Sequence, residues 1–306
     1  MKTVIVTGAY GFLGRHTSLK FKQNGFNVYA CGHGQWQNNN KNEWGIDSWR
    51  EGDISLELLR KFSVQPDVIV HCAGSGSVGL SLSDPAADFH KTVSGTLDVL
   101  DFIRTISPET KLIYPSSAAV YGEHIDAPIS THTFLNPVSP YGVHKKIAEE
   151  LCVSYHNHFG VNSSVIRFFS IYGEGLKKQL LWDASNRLMN QENLAKFWGT
   201  GYETRDWIHI SDAVQLIYLN AVSSQNHPIM NGGSGIKWTV QDTLAILIEE
   251  LGLERISLDF NNIVRKGDPR FYHADMAEAK QINWKPEVTL DEGIKRYVYW
   301  FKDKVK

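Results

Sequence analysis

The sequence predicts an α/β protein, a Rossmann-like doubly wound parallel sheet with a smaller C-terminal substrate-binding lobe. Three observations carry that prediction. Short β-branched runs alternate with longer helical patterns through the first two-thirds of the chain. A glycine-rich turn follows the first of those runs directly. After about residue 170 the alternation fades, and Trp, Arg and Gly interleave with helical segments.

In chain order, the strand candidates are Thr3–Thr7, Asn27–Cys31, Asp67–Cys72, Lys111–Pro115 and Ser164–Phe168. Helices are expected over Gly11–Asn24, Asp84–Ile106 and Tyr141–Phe159, the last punctuated by Pro140 before it and Gly160 after it. Residues 34–42, with three consecutive asparagines, supply no apolar face and read as an exposed loop. Further helices are expected at Ser211–Ala221 and Val240–Leu251. No internal repeat or linker divides the chain. The expected organisation is a cofactor-binding domain over residues 1–170, taking in segments near 205–235, and a mainly substrate-binding lobe over 171–306.

The 306 residues are 42% hydrophobic and 21% charged, an ordinary globular composition with enough chain for a large core. With 31 basic and 33 acidic side chains and no long run of one sign, nucleic acid and anionic membranes are not expected partners. Cys31, Cys72 and Cys152 form no C-x-x-C pair and read as small core residues of a reducing compartment. Thr3–Thr7 starts a strand-like run where a leader would be charged and then apolar, and no apolar stretch approaches membrane-spanning length. A cytoplasmic location is the expectation. No metal site is expected.

The turn is Gly8-Ala9-Tyr10-Gly11-Phe12-Leu13-Gly14, with its glycines three apart. A pyrophosphate requires backbone N–H groups close at a helix N-terminus, and side chains on these glycines would obstruct both that approach and the helix–strand packing. A site that prefers NAD ordinarily ends the second strand with Asp or Glu, which accepts from the adenosine ribose. Here that strand ends Ala30-Cys31-Gly32-His33, and the first acidic residue of the chain is Glu43. With no carboxylate to repel a 2′-phosphate and Arg15 beside the third glycine, NADPH is the favoured cofactor and NAD the other candidate. Arg15 and His33 are the candidates for phosphate contact; a solvated loop histidine is the equally weighted alternative for His33.

Only one of the twelve tyrosines has a lysine four positions on, in Tyr141-Gly-Val-His-Lys145. On a helix that spacing puts both on one face, where an ammonium lowers a phenol's pKa towards the range of useful proton exchange. Tyr114-Pro115-Ser116-Ser117-Ala118-Ala119-Val120-Tyr121-Gly122 lies at the carboxyl end of an expected central strand, where open parallel sheets place their active sites. A hydroxyl there can hydrogen-bond the oxygen that the tyrosine serves, and Ser117 is the candidate.

Together these residues resemble the extended short-chain dehydrogenase/reductase family, in its nucleotide-sugar epimerase, dehydratase and reductase branch, over nearly the whole chain. The resemblance implies Ser117, Tyr141 and Lys145 as catalytic residues, with Tyr141 and Lys145 also touching the cofactor. It implies cofactor contacts from Gly8, Gly11, Phe12, Leu13 and Gly14 of the turn, from Asp53 and Ile54 of Gly52-Asp53-Ile54, and from Ala73 and Gly74 of Cys72-Ala73-Gly74, beside the Arg15 and His33 already named. Thr204-Arg205-Asp206-Trp207-Ile208-His209-Ile210 and Arg265-Lys266-Gly267-Asp268 look like the segments whose arginines grip the substrate diphosphate, a bidentate pairing that guanidinium geometry favours.

Two departures stand out. Ser170 and Thr92 occupy positions where relatives often carry Asn, which leaves Ser170 a candidate sugar contact of altered geometry. Ala118 and Ala119 stand where 4,6-dehydratases carry acids, and decarboxylating members a glutamate at the second, so both branches are disfavoured. What remains is a 4-keto reductase of a nucleotide-linked keto-deoxy sugar, favoured by the missing ribose-binding acid, or a UDP-hexose-type 4-epimerase. A cofactor-binding redox sensor without catalysis is the rival from another class, and the intact triad argues against it. The resemblance also implies a homodimer. Nucleobase and sugar are left open.

Overall fold

The computed structural model describes residues 1–36, 40–191, 193–225, 227–263 and 269–305. In its first half come β1 (Thr3–Thr7), α1 (Phe12–Gln23), β2 (Asn27–Gly32), β3 (Ser48–Glu51), α2 (Leu56–Arg60) and β4 (Val68–His71). There follow α3 (Val78–Ser83), α4 (Pro85–Phe89), a π-helical turn His90–Ser94 and α5 (Gly95–Ile106). Next stand β5 (Lys111–Ser117), a 3₁₀ turn Ala118–Val120, α6 (Pro140–Phe159), β6 (Ser163–Phe168) and β7 (Ser170–Tyr172). The remainder holds α7 (Gln179–Met189), β8 (Leu194–Phe197), β9 (Thr204–His209), α8 (Ile210–Val222), β10 (Ile229–Gly232), β11 (Lys237–Thr239), α9 (Val240–Leu251), β12 (Ser257–Phe260), α10 (Ala277–Gln281) and α11 (Leu290–Val305).

Seven strands form one sheet in the order β10-β6-β5-β4-β1-β2-β3, parallel at every pairing. Strands covered on both faces need apolar side chains on both, and β1 and β4 supply them with Val4-Ile5-Val6 and Val68-Ile69-Val70, all buried. Alternation sorts them: Val4 and Val6 pack with Phe21, Ala213 and Leu216 on the face covered by α1 and α8, while Ile5 packs with Val99, Ile103 and Ala148 on the face covered by α5 and α6. Strand order reverses between β1 and β4, which opens a crevice at their carboxyl edge.

A smaller three-stranded sheet, β11-β9-β7, and the parallel pair β12-β8 lie in the C-terminal part. There Tyr172, Leu181, Trp207, Leu244, Tyr297 and Phe301 belong to a separate core of α7, α9 and α11. Within the larger sheet a buried polar network ties β5, β6 and β10 to α6. Arg167 donates to both carboxylate oxygens of Glu149, to the Tyr121 hydroxyl (3.2 Å) and to the Thr131 carbonyl (3.0 Å). Glu149 also accepts from Ser116 (2.5 Å), and Tyr121 donates to Asn231 (2.7 Å). Burial lowers the pKa of Arg167, but pairing with Glu149 outweighs it and the net direction is up.

Among the differences from the sequence expectation, two bear on the larger sheet and the site. β3 has no apolar run to announce it; it is an edge strand, held by its pairing with β2. The helix expected over Asp84–Ile106 contains the wider π turn, which places buried Thr92 so that its hydroxyl accepts from the Ser75 N–H (3.3 Å).

Candidate active site

The glycine turn is a cradle by steric necessity. Gly8 has φ +65°, and a Cβ there would stand 2.6 Å from the Ala73 nitrogen; a Cβ on Gly14 would run into the Gly8 carbonyl. Gly11 caps α1 without a side-chain hydrogen bond, so the first N–H groups of a twelve-residue helix face the turn uncapped by any side chain. Phe12 and Leu13 form the first turn of α1, partly buried. Opposite them, Ala73 and Gly74 follow β4; Ala73 donates to Thr7 Oγ1 (3.1 Å) and Gly74 lies against Thr92. This cradle fits a dinucleotide pyrophosphate.

At the end of β2 the arrangement differs from what the sequence led us to expect. The Arg15 guanidinium donates to the Tyr10 carbonyl (2.5 Å) and the Gly11 carbonyl (3.3 Å) and sits over the rings of Tyr10 and Trp44, 5.5 and 5.3 Å from their centroids. It is already spoken for as a brace of the glycine turn. The other expected phosphate contact, His33, holds the Asp53 carboxylate at 2.7 Å, and both side chains are exposed. Ile54 packs against the α5 side of the sheet, near Gly95. The Arg15 guanidinium is thus engaged with the glycine turn, and burial lowers its pKa.

At the carboxyl end of β5 and the amino end of α6, Tyr141, Lys145 and Ser117 come together. Pro140 opens α6 and Ser139 caps it, accepting from the Gly142 N–H (3.2 Å); the Tyr141 N–H is taken by Ser81 of α3 (3.0 Å). Buried Lys145 donates to the Pro115 carbonyl (3.0 Å) and lies 4.7 Å from the Tyr114 ring centroid. Burial lowers its pKa to about 8, against the pull of Cys72, Glu149 and Asp88.

The lysine-lowered phenol that the motif suggests is not what the structure has. Burial pushes Tyr141 above its ordinary value, a hydrogen bond with Ser117 works the other way, and Asp88 adds to the rise. Buried Ala118 and half-buried Ala119 follow Ser117 with methyl groups alone.

Ser170 opens β7, half-buried and in register with Trp207 of β9. Arg205 is half-buried on β9 and donates to the carbonyls of Thr204 (2.8 Å) and Pro269 (3.0 Å). Arg265 lies outside the described residues. Between β9 and the cofactor cradle runs a link that sequence reasoning missed: His209 holds the Glu174 carboxylate (3.0 Å), and His16 of α1 meets the Glu174 carbonyl (3.3 Å). Nothing local marks it, because its members are 35 and 158 positions apart. Among the described residues no group of three or more His, Cys, Asp or Glu is arranged to hold a metal, and no helix is long and apolar enough to cross a membrane.

A family model described as the NAD dependent epimerase/dehydratase family matches residues 4–231. The chain is 29% identical to a putative UDP-glucose 4-epimerase of Methanocaldococcus jannaschii, with 98% of each chain covered. It is 26% identical to a UDP-glucuronate 4-epimerase of Arabidopsis thaliana, covering 98% of this chain and 75% of the plant protein. Among solved structures, the UDP-glucose 4-epimerase of Thermotoga maritima, determined with UDP-glucose, superposes with a TM-score of 0.89 at 27% identity, over 99% of this chain and 100% of that one. MoeE5 in complex with UDP-glucuronic acid and NAD superposes with a TM-score of 0.86 at 26% identity, over 99% of each. The leaning towards an NADPH-dependent reductase finds no support here: the relatives bear epimerase names, and the nicotinamide nucleotide named with MoeE5 is NAD.

Proposed function

The chain belongs to the NAD dependent epimerase/dehydratase family, and on that premise we propose that it is an NAD-dependent 4-epimerase of a UDP-linked hexose. The observation that carries the reading is the meeting of Tyr141 and Ser117 at the carboxyl edge of β5, with Ala118 and Ala119 directly after Ser117 in place of acids. Such a set moves one proton at one oxygen and offers no second carboxyl for eliminating water. The relatives' names favour epimerisation over net reduction, and the engagement of Arg15 favours NAD over NADPH.

NAD, when bound, supplies a hydride acceptor at its nicotinamide that returns the same hydride. Residues 1–170, with the segments near 205–235, hold this cofactor, and 171–306 mainly hold the sugar nucleotide. The glycine cradle takes the pyrophosphate on the N-terminal amides of α1. Lys145, fixed at the Pro115 carbonyl, turns its remaining N–H donors to the nicotinamide ribose. Tyr141 takes the proton of the sugar C4 hydroxyl and later gives it back, and Ser117 hydrogen-bonds the same oxygen. Ser170 contacts the sugar, and Arg205 and Arg265 clamp the diphosphate.

The test is to incubate the purified protein, without added cofactor, with UDP-glucose, UDP-N-acetylglucosamine and UDP-glucuronic acid, and to analyse the sugars and the nucleotide released on denaturation. The 4-epimer of one of them, with NAD in the supernatant, is expected. No epimer from any of them, with a 4-keto sugar reduced at the expense of NADPH, would replace the epimerase by the reductase.

A further inference from the structure

A carboxylate and an imidazole are buried together beside Tyr141 and Lys145, and nothing in the reaction above uses them. His144 Nδ1 lies 2.5 Å from Asp88 Oδ2, with side chains 12% and 2% exposed. The other carboxylate oxygen, Oδ1, is buried without a hydrogen-bond partner. Taking a carboxylate out of water and leaving half of it unsatisfied is costly, and replacing such a pair by apolar residues is often neutral or stabilising. A buried ionisable pair next to a reactive group is therefore a candidate for tuning that group.

The surroundings narrow the role. Asp88 sits on α4 immediately before the π turn, and His144 on α6 between Tyr141 and Lys145. The Phe89 ring edges against both His144 and His90. The titratable groups that meet the pair or Tyr141 are Lys145 from α6, the buried Tyr114 from β5 and, through Phe89, His90 from the π turn; Ser81 of α3 and Ser117 of β5 bring only hydroxyls.

Resting on the proposed function, we propose that Asp88, oriented by His144, is a positioning residue whose negative charge sets the proton affinity of Tyr141. Burial and the Asp88 charge both act to raise the phenol's pKa, and Asp88 also favours the charged form of Lys145. Asp88 thereby biases Tyr141 towards the protonated phenol, so that less of it stands as the base and the phenol holds its proton more tightly.

The test is direct titration of Tyr141 in the NAD-loaded protein by NMR of ¹³Cζ-labelled tyrosine, the resonance being assigned by its loss in Tyr141→Phe. This readout needs no substrate, so it stands even if the assigned reaction is wrong. Asp88→Asn is expected to lower the Tyr141 midpoint by about half a unit to one unit, less than the roughly 1–3 units that a directly contacting charge produces. His144→Asn keeps a donor near the Nδ1 position and keeps the carboxylate; its midpoint is expected not to fall. The double variant Asp88→Asn/His144→Asn, whose facing amides can pair without charge, is expected to fall as Asp88→Asn does and serves if the single variant does not fold. An unchanged midpoint without Asp88, or an equal fall in His144→Asn, would overturn the proposal in favour of a purely structural pair.

Discussion

At the Tyr141 end of the cleft the functional side chains stand on a twenty-residue helix and on the strand beside it in the middle of the sheet, and their partners are buried. At the Arg15 end they stand on a half-exposed helix turn and on loops after two edge-side strands, and hold one another in view of solvent. Geometry fixed by a packed helix and strand is costly to alter, whereas an exposed side-chain contact such as His33–Asp53 contributes little. Chemistry belongs at the first end. The second rests on exposed contacts, with Gly32 at the end of β2 and no carboxylate directly after it in sequence.

This contrast is sharpened most by Tyr141→Phe, which removes only the exchangeable proton. Turnover should fall by roughly 10²–10⁴-fold while NAD recovered from the denatured protein stays at the parent level; rates within a few-fold of the parent would show that Tyr141 is not the proton-transfer group. Arg167→Met removes one partner of the pair behind the Tyr141 end and leaves Glu149 buried and uncompensated. Urea unfolding should show a loss of about 3–5 kcal/mol, and an unchanged midpoint would mean the network is not what anchors α6 to the sheet.

Lys145 gives the third. Its folded pKa of about 8 lies below its ordinary value, so its ammonium, and with it the hold on the ribose, fades as pH rises through about 8. The affinity for NAD, measured by calorimetry, should weaken over that range in the parent and not in Lys145→Met. The stability contribution has the opposite slope. Between about 8 and the ordinary lysine value the unfolded chain binds the proton that the folded one has lost, so this group makes unfolding free energy rise with pH. The smallest effect is expected at the other end of the cleft: Arg15→Met should leave the ratio of NAD to NADP dissociation constants within about threefold, because the guanidinium is engaged with Tyr10 and Trp44. A selective tenfold loss of NADP binding would restore Arg15 as a phosphate ligand.

The fold was legible because its signals are local. Val4-Ile5-Val6 leading into Gly8, and Pro140 and Gly160 bounding α6, each lie within a few residues of what they specify. The same holds for Tyr141 and Lys145, one turn apart. The surroundings of Arg15 were hidden for the complementary reason: its guanidinium meets the Tyr10 carbonyl and Trp44, the latter brought in from a loop whose path no periodicity encodes. The phenol's raised pKa was equally hidden, since it comes from burial and from Asp88, 53 positions away in sequence. Strand β3 and the π turn escaped because pairing to β2 and a widened helical turn leave no pattern of their own.

The most direct measurement of the central claim is the fate of hydrogen at the reacting carbon. UDP-glucose deuterated at C4 is incubated with the protein without added cofactor, and any UDP-galactose is analysed by NMR. A hydride that leaves and returns on bound NAD, with Tyr141 handling only the hydroxyl proton, predicts UDP-galactose that keeps its deuterium at C4. Galactose formed with the label lost to solvent would contradict it, and would mean that the carbon is inverted by some route other than the one built around Tyr141, Ser117 and Lys145.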